Sequence, residues 1–189
     1  MEFRDAKLVP LTGEGPEDVV VDADGQVYTG LADGRILRVS RDGRAVQTVA
    51  ELDGRVYGLE LYGEDDLLVC GGSLGLLAVS LSDGKPRTLV GGPGAGLRAC
   101  NNAAVAADGT IYFSDSSTQY DIPQWRRDLV HQTRTGRLLR RTPDGAVDEL
   151  LGELHFANGV ALAPDESFVT VNETGAYRVR RCWLGGEPA

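Results

Sequence analysis

Lysine is almost missing from this chain: of 19 basic residues only two are lysine, and 28 carboxylates leave a formal charge of −9. With no basic run, nothing could track a phosphate backbone, so nucleic acid is excluded as a partner. Long apolar runs are missing too. No stretch approaches the roughly eighteen consecutive apolar residues of a membrane helix, and the opening Met-Glu-Phe-Arg-Asp lacks the charged-then-apolar plan of a signal peptide. The expectation is a soluble, cytoplasmic chain with no membrane partner. Cysteine is scarce and odd in number: Cys70, Cys100 and Cys182 fit neither a disulfide framework nor paired zinc knuckles, and read as buried thiols. The shortage of lysine beside abundant arginine fits the coding bias of GC-rich bacteria.

Aromatics make up only 6% of the 189 residues, whereas glycine reaches 25 and proline eight, so the chain is punctuated throughout. That suits many short strands and tight turns better than long helices. Asp-Gly recurs at 24–25, 33–34, 42–43, 53–54, 83–84, 108–109 and 144–145, flanked by strand-like runs. This is hairpin grammar, with type I′ turns expected because Asp and Gly accept positive φ most easily. These aspartates read as turn formers, not metal ligands. No window holds a 3.6-residue apolar period over a dozen residues, and only 124–133 reads as a helical or looped insertion.

The chain also aligns on itself. Segments opening at Glu17, Tyr57, Asn101 and Asn158 each begin with a polar or aromatic residue and continue as an apolar strand, a turn and a second strand. Their starts fall 40, 44 and 57 residues apart, and the longest interval contains an insertion over 119–134. A period near 40 is the size of one four-stranded propeller blade. A third strand follows in each segment, at 34–39, 75–79, 136–140 and 176–180, and a fourth near Val46, Thr88 and Val147 in the first three. The fold class is therefore all-β: a single β-propeller domain over 1–189 with about three and three-quarter four-stranded blades, at 15–50, 54–91, 98–152 and 154–189. Since a propeller closes by joining its first and last blades, the chain reads as a truncated six-bladed propeller, with a four-bladed ring as the alternative.

The first strand of each blade lines the central channel, so the residues opening those strands gather at one rim. Glu17, Asn101 and Asn158 offer one carboxylate and two amide carbonyls without His or Cys, a donor set that suits a hard cation and favours calcium over magnesium or zinc. The same asparagines fit Asx turns at a strand entry equally well. Tyr57, Asp18, Asn102 and Asp115 flank this rim. Asp18 and Asn102 could orient metal ligands or serve as turn residues. His131 and His155 are candidate bases, though a lone histidine is more often surface or satisfied core, and no catalytic residue is assigned. No Gly-x-Ser-x-Gly elbow, His-Glu-x-x-His or phosphate loop is present; the Gly-Gly-Pro-Gly-Ala-Gly at 91–96 is a plain loop. Tyr120 and Trp125 lie in the insertion, which forms a substrate lid if it folds over the rim.

Several stretches carry a family resemblance: Gly-Pro-Glu-Asp-Val at 15–19, Gly-Arg-Val-Tyr-Gly-Leu at 54–59, Asn-Asn-Ala-Ala-Val-Ala-Ala-Asp-Gly-Thr-Ile-Tyr-Phe-Ser-Asp-Ser-Ser at 101–117, Arg-Arg-Asp at 126–128, and Phe-Ala-Asn-Gly-Val-Ala-Leu-Ala-Pro-Asp-Glu-Ser-Phe-Val at 156–169. With these the chain resembles the six-bladed calcium-binding propellers that include strictosidine synthase-like proteins, gluconolactonases (the senescence marker protein family) and paraoxonases. It lies nearest the strictosidine synthase-like branch. The resemblance implies that Glu17, Asn101 and Asn158 bind calcium at the channel mouth, with a further acidic ligand from a later blade. It implies a calcium-dependent hydrolase acting on a small-molecule lactone or simple ester, or else a binding propeller or an inactive fragment. Asn102 stands where the family usually has Asp, and Tyr57 where paraoxonases carry a histidine. The alkaloid-forming enzyme uses a glutamate from a late blade, so that condensation is the least expected activity.

Overall fold

The local grammar of turns sets the strands. In the computed structural model, which describes residues 6–185, the glycine of each hairpin Asp-Gly pair carries positive φ, for example Gly25 at 79°, Gly43 at 73° and Gly109 at 85°, while none of the aspartates does. The glycine amide closes the turn on the carbonyl three residues earlier, as in Gly25 to Asp22, Gly109 to Ala106 and Gly145 to Thr142. These hairpins therefore turn through a right-handed corner followed by one left-handed glycine, not through type I′ turns. The cause lies in the aspartates, whose side chains cap backbone amides just ahead of them, such as Thr110 from Asp108 and Lys85 from Asp83. The N-terminal pentapeptide and the last four residues of the expected fourth blade lie outside the described residues.

Four antiparallel sheets result. The first holds β1 (Val19–Val21), β2 (Val27–Gly30), β3 (Arg35–Val39) and β4 (Val46–Glu51); the second β5 (Gly58–Tyr62), β6 (Asp66–Cys70), β7 (Gly75–Ser80) and β8 (Pro86–Gly91). The third holds β9 (Cys100–Val105), β10 (Ile111–Asp115), β11 (Gly136–Arg141) and β12 (Val147–Leu154), and the fourth β13 (Ala157–Leu162), β14 (Phe168–Glu173) and β15 (Arg178–Trp183). Strand order follows the sequence in each sheet, and the innermost strands neighbour one another, β1 against β5, β5 against β9 and β9 against β13. This is a β-propeller arrangement of meander blades. The third strand of the fourth blade starts at Arg178 rather than Ala176, because Thr174–Ala176 form a 3-10 turn closed by Tyr177 at φ 53°.

Packing explains why several strands are apolar throughout rather than alternating. In β6, Leu67 and Val69 enter the core between the first and second blades, while Leu68 and Cys70 enter the core between the second and third. β10 divides in the same way, Ile111 and Phe113 on one side and Tyr112 on the other. A strand buried on both faces needs no polar positions. β1 shows the contrast: Val19 and Val21 are more than half exposed on the outer face of the first blade. Cys70 and Cys100 are buried free thiols and Cys182 is half-buried and free. No helix among the described residues is long and apolar enough to cross a membrane.

The insertion falls between β10 and β11. It contains a 3-10 turn at Ile122–Gln124 and one short helix, α1 (Trp125–His131), with Ile122 buried against Tyr57 and Ala99. Arg98 fastens it further, donating to the Thr118 carbonyl at 3.1 Å and to Asp121 at 3.0 Å. The segment thus lies at the end of the blades where the inner strands begin.

Candidate functional site at the channel mouth

An innermost strand is an edge, and its channel-facing amides have no ladder partner. Here side chains supply the partners. Asp18 accepts from the Leu59 amide at 3.0 Å and from Asn102 Nδ2 at 3.0 Å, and Asn102 Oδ1 accepts from the Val160 amide at 2.8 Å. A polar belt therefore ties all four inner strands together. The Asn102 amide is fixed, since its nitrogen faces a carboxylate and its oxygen an N–H. Gly58 makes the close approach possible: a Cβ there would stand 2.5 Å from the Asn101 carbonyl and 2.9 Å from Asn102 Cα. Asp18 and Asn102, placed beside the rim by the sequence, lie in direct contact with each other.

One residue before the belt stand Glu17 and Asn101, and two before Val160, within an irregular stretch of the register, stands Asn158. Asn101 is buried, 4% exposed, and its Nδ2 donates to Ser116 Oγ at 2.9 Å. The single Ser116 proton goes to the Ala157 carbonyl at 2.6 Å, so Ser116 must accept from Asn101. That chain of bonds joins Asn101 to the residue adjoining Asn158 and leaves Oδ1 of Asn101 without a partner among the described residues. Asn158 is half-buried, and its amide lies 3.1 Å from Thr174 Oγ1, with no further bond among the described residues committing the threonine proton elsewhere. Glu17 is more open, with 40% of its side chain exposed, and its Oε2 accepts from Arg55 at 3.1 Å.

Tyr57 is 8% exposed beneath the insertion, with the Arg55 guanidinium 5.3 Å from its ring centroid. Burial, the largest influence, pushes its phenol up from the ordinary tyrosine value. Asp115 is fully buried, accepts from the Ala99 amide at 2.7 Å and pairs with Arg137, its cross-strand partner. Glu173 repeats this design in the fourth blade, facing Arg178 across the register and accepting from the His155 amide at 2.9 Å. Burial alone would raise the Glu173 carboxyl, but the bonds and charges of Arg178, the His155 amide and Arg180 together hold it below the ordinary range. Of the histidines, His131 Nδ1 lies 2.7 Å from the Tyr120 hydroxyl in the insertion, and His155 adjoins the entry to β13.

As a donor set, the mouth fits a hard cation in chemistry and partly in number. The amide nitrogen of Asn101 is anchored so that its carbonyl oxygen remains available, Asn158 offers a second amide and Glu17 a carboxylate; calcium takes six to eight oxygens, so water or substrate oxygens would complete the sphere. Among the described residues no three His, Cys, Asp or Glu side chains are grouped to hold a metal, so any ion here depends on the asparagines. Sequence reasoning missed Arg55, Ser116 and Thr174. Arg55 carries a signal, two residues ahead of Tyr57 in a rim loop, whereas Ser116 and Thr174 become visible only once the blades are paired.

The strictosidine synthase family model matches residues 101–187, and the model for strictosidine synthase-like N-terminal regions matches residues 2–39. The chain belongs to the strictosidine synthase-like family of propellers. It is similar to protein strictosidine synthase-like 6 of Arabidopsis thaliana, 32% identical over 90% of this chain and 48% of that protein. It is also similar to the adipocyte plasma membrane-associated protein of Gallus gallus, 35% identical over 91% of this chain and 45% of that one. The chain spans about half the length of these curated relatives. They come from a plant and an animal, and give no support to a bacterial reading of the arginine bias. The fold is shared with a gluconolactonase of Xanthomonas campestris, at a TM-score of 0.73 and 22% identity over 90% of this chain and 59% of that one. It is shared too with the computationally designed Ika4 protein, at a TM-score of 0.64 and 13% identity over 95% of this chain and 99% of that one.

Proposed function

We propose that the channel mouth binds calcium through Glu17, Asn101 and Asn158 and hydrolyses small lactones or simple esters there. The observation carrying this reading is the anchoring of Asn101: its nitrogen is committed to Ser116, so its oxygen is held as a ready acceptor-only group at the rim. Asn158, beside Thr174, adds a second amide oxygen, and Glu17 the charge. A bound divalent ion would supply polarisation of the substrate carbonyl and stabilisation of the developing oxyanion. The chain's own residues would orient the oxygens through Ser116, Thr174 and Arg55, while the belt of Asp18 and Asn102 holds the inner strands together and Ile122 packs over Tyr57. The likeness in fold to a gluconolactonase supports a lactone as the first substrate class to try.

Thermal unfolding of the chain in millimolar calcium, then in excess chelator, tests the metal half. Calcium at about a hundred times its dissociation constant stabilises by about 2.7 kcal/mol, a shift of about 5–10 °C in a domain of this size. Aryl ester and lactone hydrolysis, with and without chelator, tests the chemical half. Turnover that survives chelation refutes calcium dependence, and a calcium-dependent melt without turnover identifies a binding propeller instead.

A further inference from the structure

Arg55 has three restraints, and only one of them is Glu17. Its Nη2 donates to Glu17 Oε2 at 3.1 Å and to the Gly15 carbonyl at 3.3 Å, and its guanidinium lies over the ring of Tyr57. Tyr57 is itself immobilised against Ala99 and Ile122. Arg55 Nε is buried with no hydrogen-bond partner among the described residues. A divalent ion on Glu17 would compete with Arg55 for the carboxylate's charge, and one bound through both oxygens would take Oε2 from it outright. The guanidinium cannot give up its charge, so on losing Glu17 it would remain a cation seated on Tyr57, with the Nη2 that had faced Glu17 open to another acceptor. In a chain of formal charge −9, such a local positive group is what a negatively charged ligand would need.

We infer that Arg55 is a tethered counter-ion which occupies Glu17 until a cation replaces it, and which then recognises a carboxylate or phosphate group on the molecule bound at the mouth. This rests on the function proposed above and narrows its substrates to anionic lactones and esters. A guanidinium fork matches the paired oxygens of either group, so the two share one recognition chemistry.

Calorimetry on the full chain tests this with calcium chloride, sodium acetate and inorganic phosphate as probes. Arg55→Gln is expected to bind calcium about fivefold more tightly, because an exposed competing ion pair is removed. The calcium-loaded parent protein is expected to bind acetate or phosphate about tenfold more tightly than Arg55→Gln does, and the tighter of the two probes identifies the recognised group. Glu17→Gln frees Arg55 without any metal, so its anion binding should no longer require calcium. Arg55→Lys keeps the charge and guards against a folding defect; it should retain part of the anion affinity. For turnover, the ratio of rates on 4-acetoxybenzoate and on neutral phenyl acetate should fall about tenfold in Arg55→Gln. Equal anion binding by the parent and Arg55→Gln, with none by metal-free Glu17→Gln, overturns the inference even if calcium binds. Calcium heat absent from both parent and Arg55→Gln, with anions still bound by Glu17→Gln, removes the calcium reading and leaves Arg55 as an anion site.

Discussion

Asn102 shows how much one atom of a side chain decides. Its Nδ2 meets the Asp18 carboxylate at 3.0 Å, and an aspartate in its place would set two carboxylates at that distance. Like charges so close raise the pKa of one partner, so the folded pKa rises above the unfolded one. The Asn102→Asp variant should therefore fold well in acid and lose stability as the pH climbs from the ordinary carboxylate value through the raised one, which a series of urea melts from pH 3 to 8 will show. Glu60 already has this character. Burial, more than any neighbour, lifts its carboxyl above the ordinary range, with the Asp18 charge adding to it and the Leu61 amide opposing. Glu60→Gln should raise the melting midpoint at pH 7, and the gain should vanish once the pH falls below the ordinary glutamate value. The sequence singles out Glu17, Asn101 and Asn158 as candidates by their place in the repeat. What Asp18 and Asn102 do was hidden, because capping a neighbouring strand's amide depends on which strands lie side by side.

Among the elements, the blades were legible and their turns were not. The strand starts predicted near Val46 and Val147, and the insertion between the second and third strands of the third blade, coincide with β4, β12 and the segment containing α1. Apolar periodicity and glycine punctuation carry that information locally. Turn type escaped because the side-chain caps of Asp108 and Asp83 hold the aspartates out of the left-handed region that the Asp-Gly pair suggested. The insertion's attachment is also tertiary, resting on Ile122 packed against Tyr57 and Ala99. Ile122→Ala should cost about 2–4 kcal/mol locally and speed amide exchange across 119–134 while β10 and β11 keep their protection. Equal slowing or quickening of the blade strands would show that the segment has no independent opening.

At the scale of the molecule, stability is shared because strands are shared. β6 supplies Leu67 and Val69 to one core and Leu68 and Cys70 to the next, so neither core can be lost without disturbing the other. Phe113, fully buried between the second and third blades, is the largest side chain in that shared interior. Phe113→Ala should cost about 3–5 kcal/mol and move a single transition, with far-ultraviolet dichroism and tyrosine fluorescence superimposing. Two separated transitions would mean that the blades unfold as independent units. The repeat made this architecture readable, since each segment carries the same order of polar or aromatic opening, apolar strand, turn and second strand. The one-sided exposure of Val19 and Val21 was not readable, because it depends on which face of a blade has a neighbour.

The insertion leaves and rejoins the third blade through a narrow gate: Ser117 Oγ and Thr135 Oγ1 stand 3.2 Å apart, just beyond the ends of β10 and β11. With its two stems clasped, the intervening stretch behaves as a cassette whose length and composition can be exchanged at little cost to the sheet beneath, because closing a longer loop adds only logarithmically to the entropy lost. Exchanging this stretch with Asp121 and Ile122 kept should therefore change the surface beside Tyr57 while leaving every strand of the scaffold as it is.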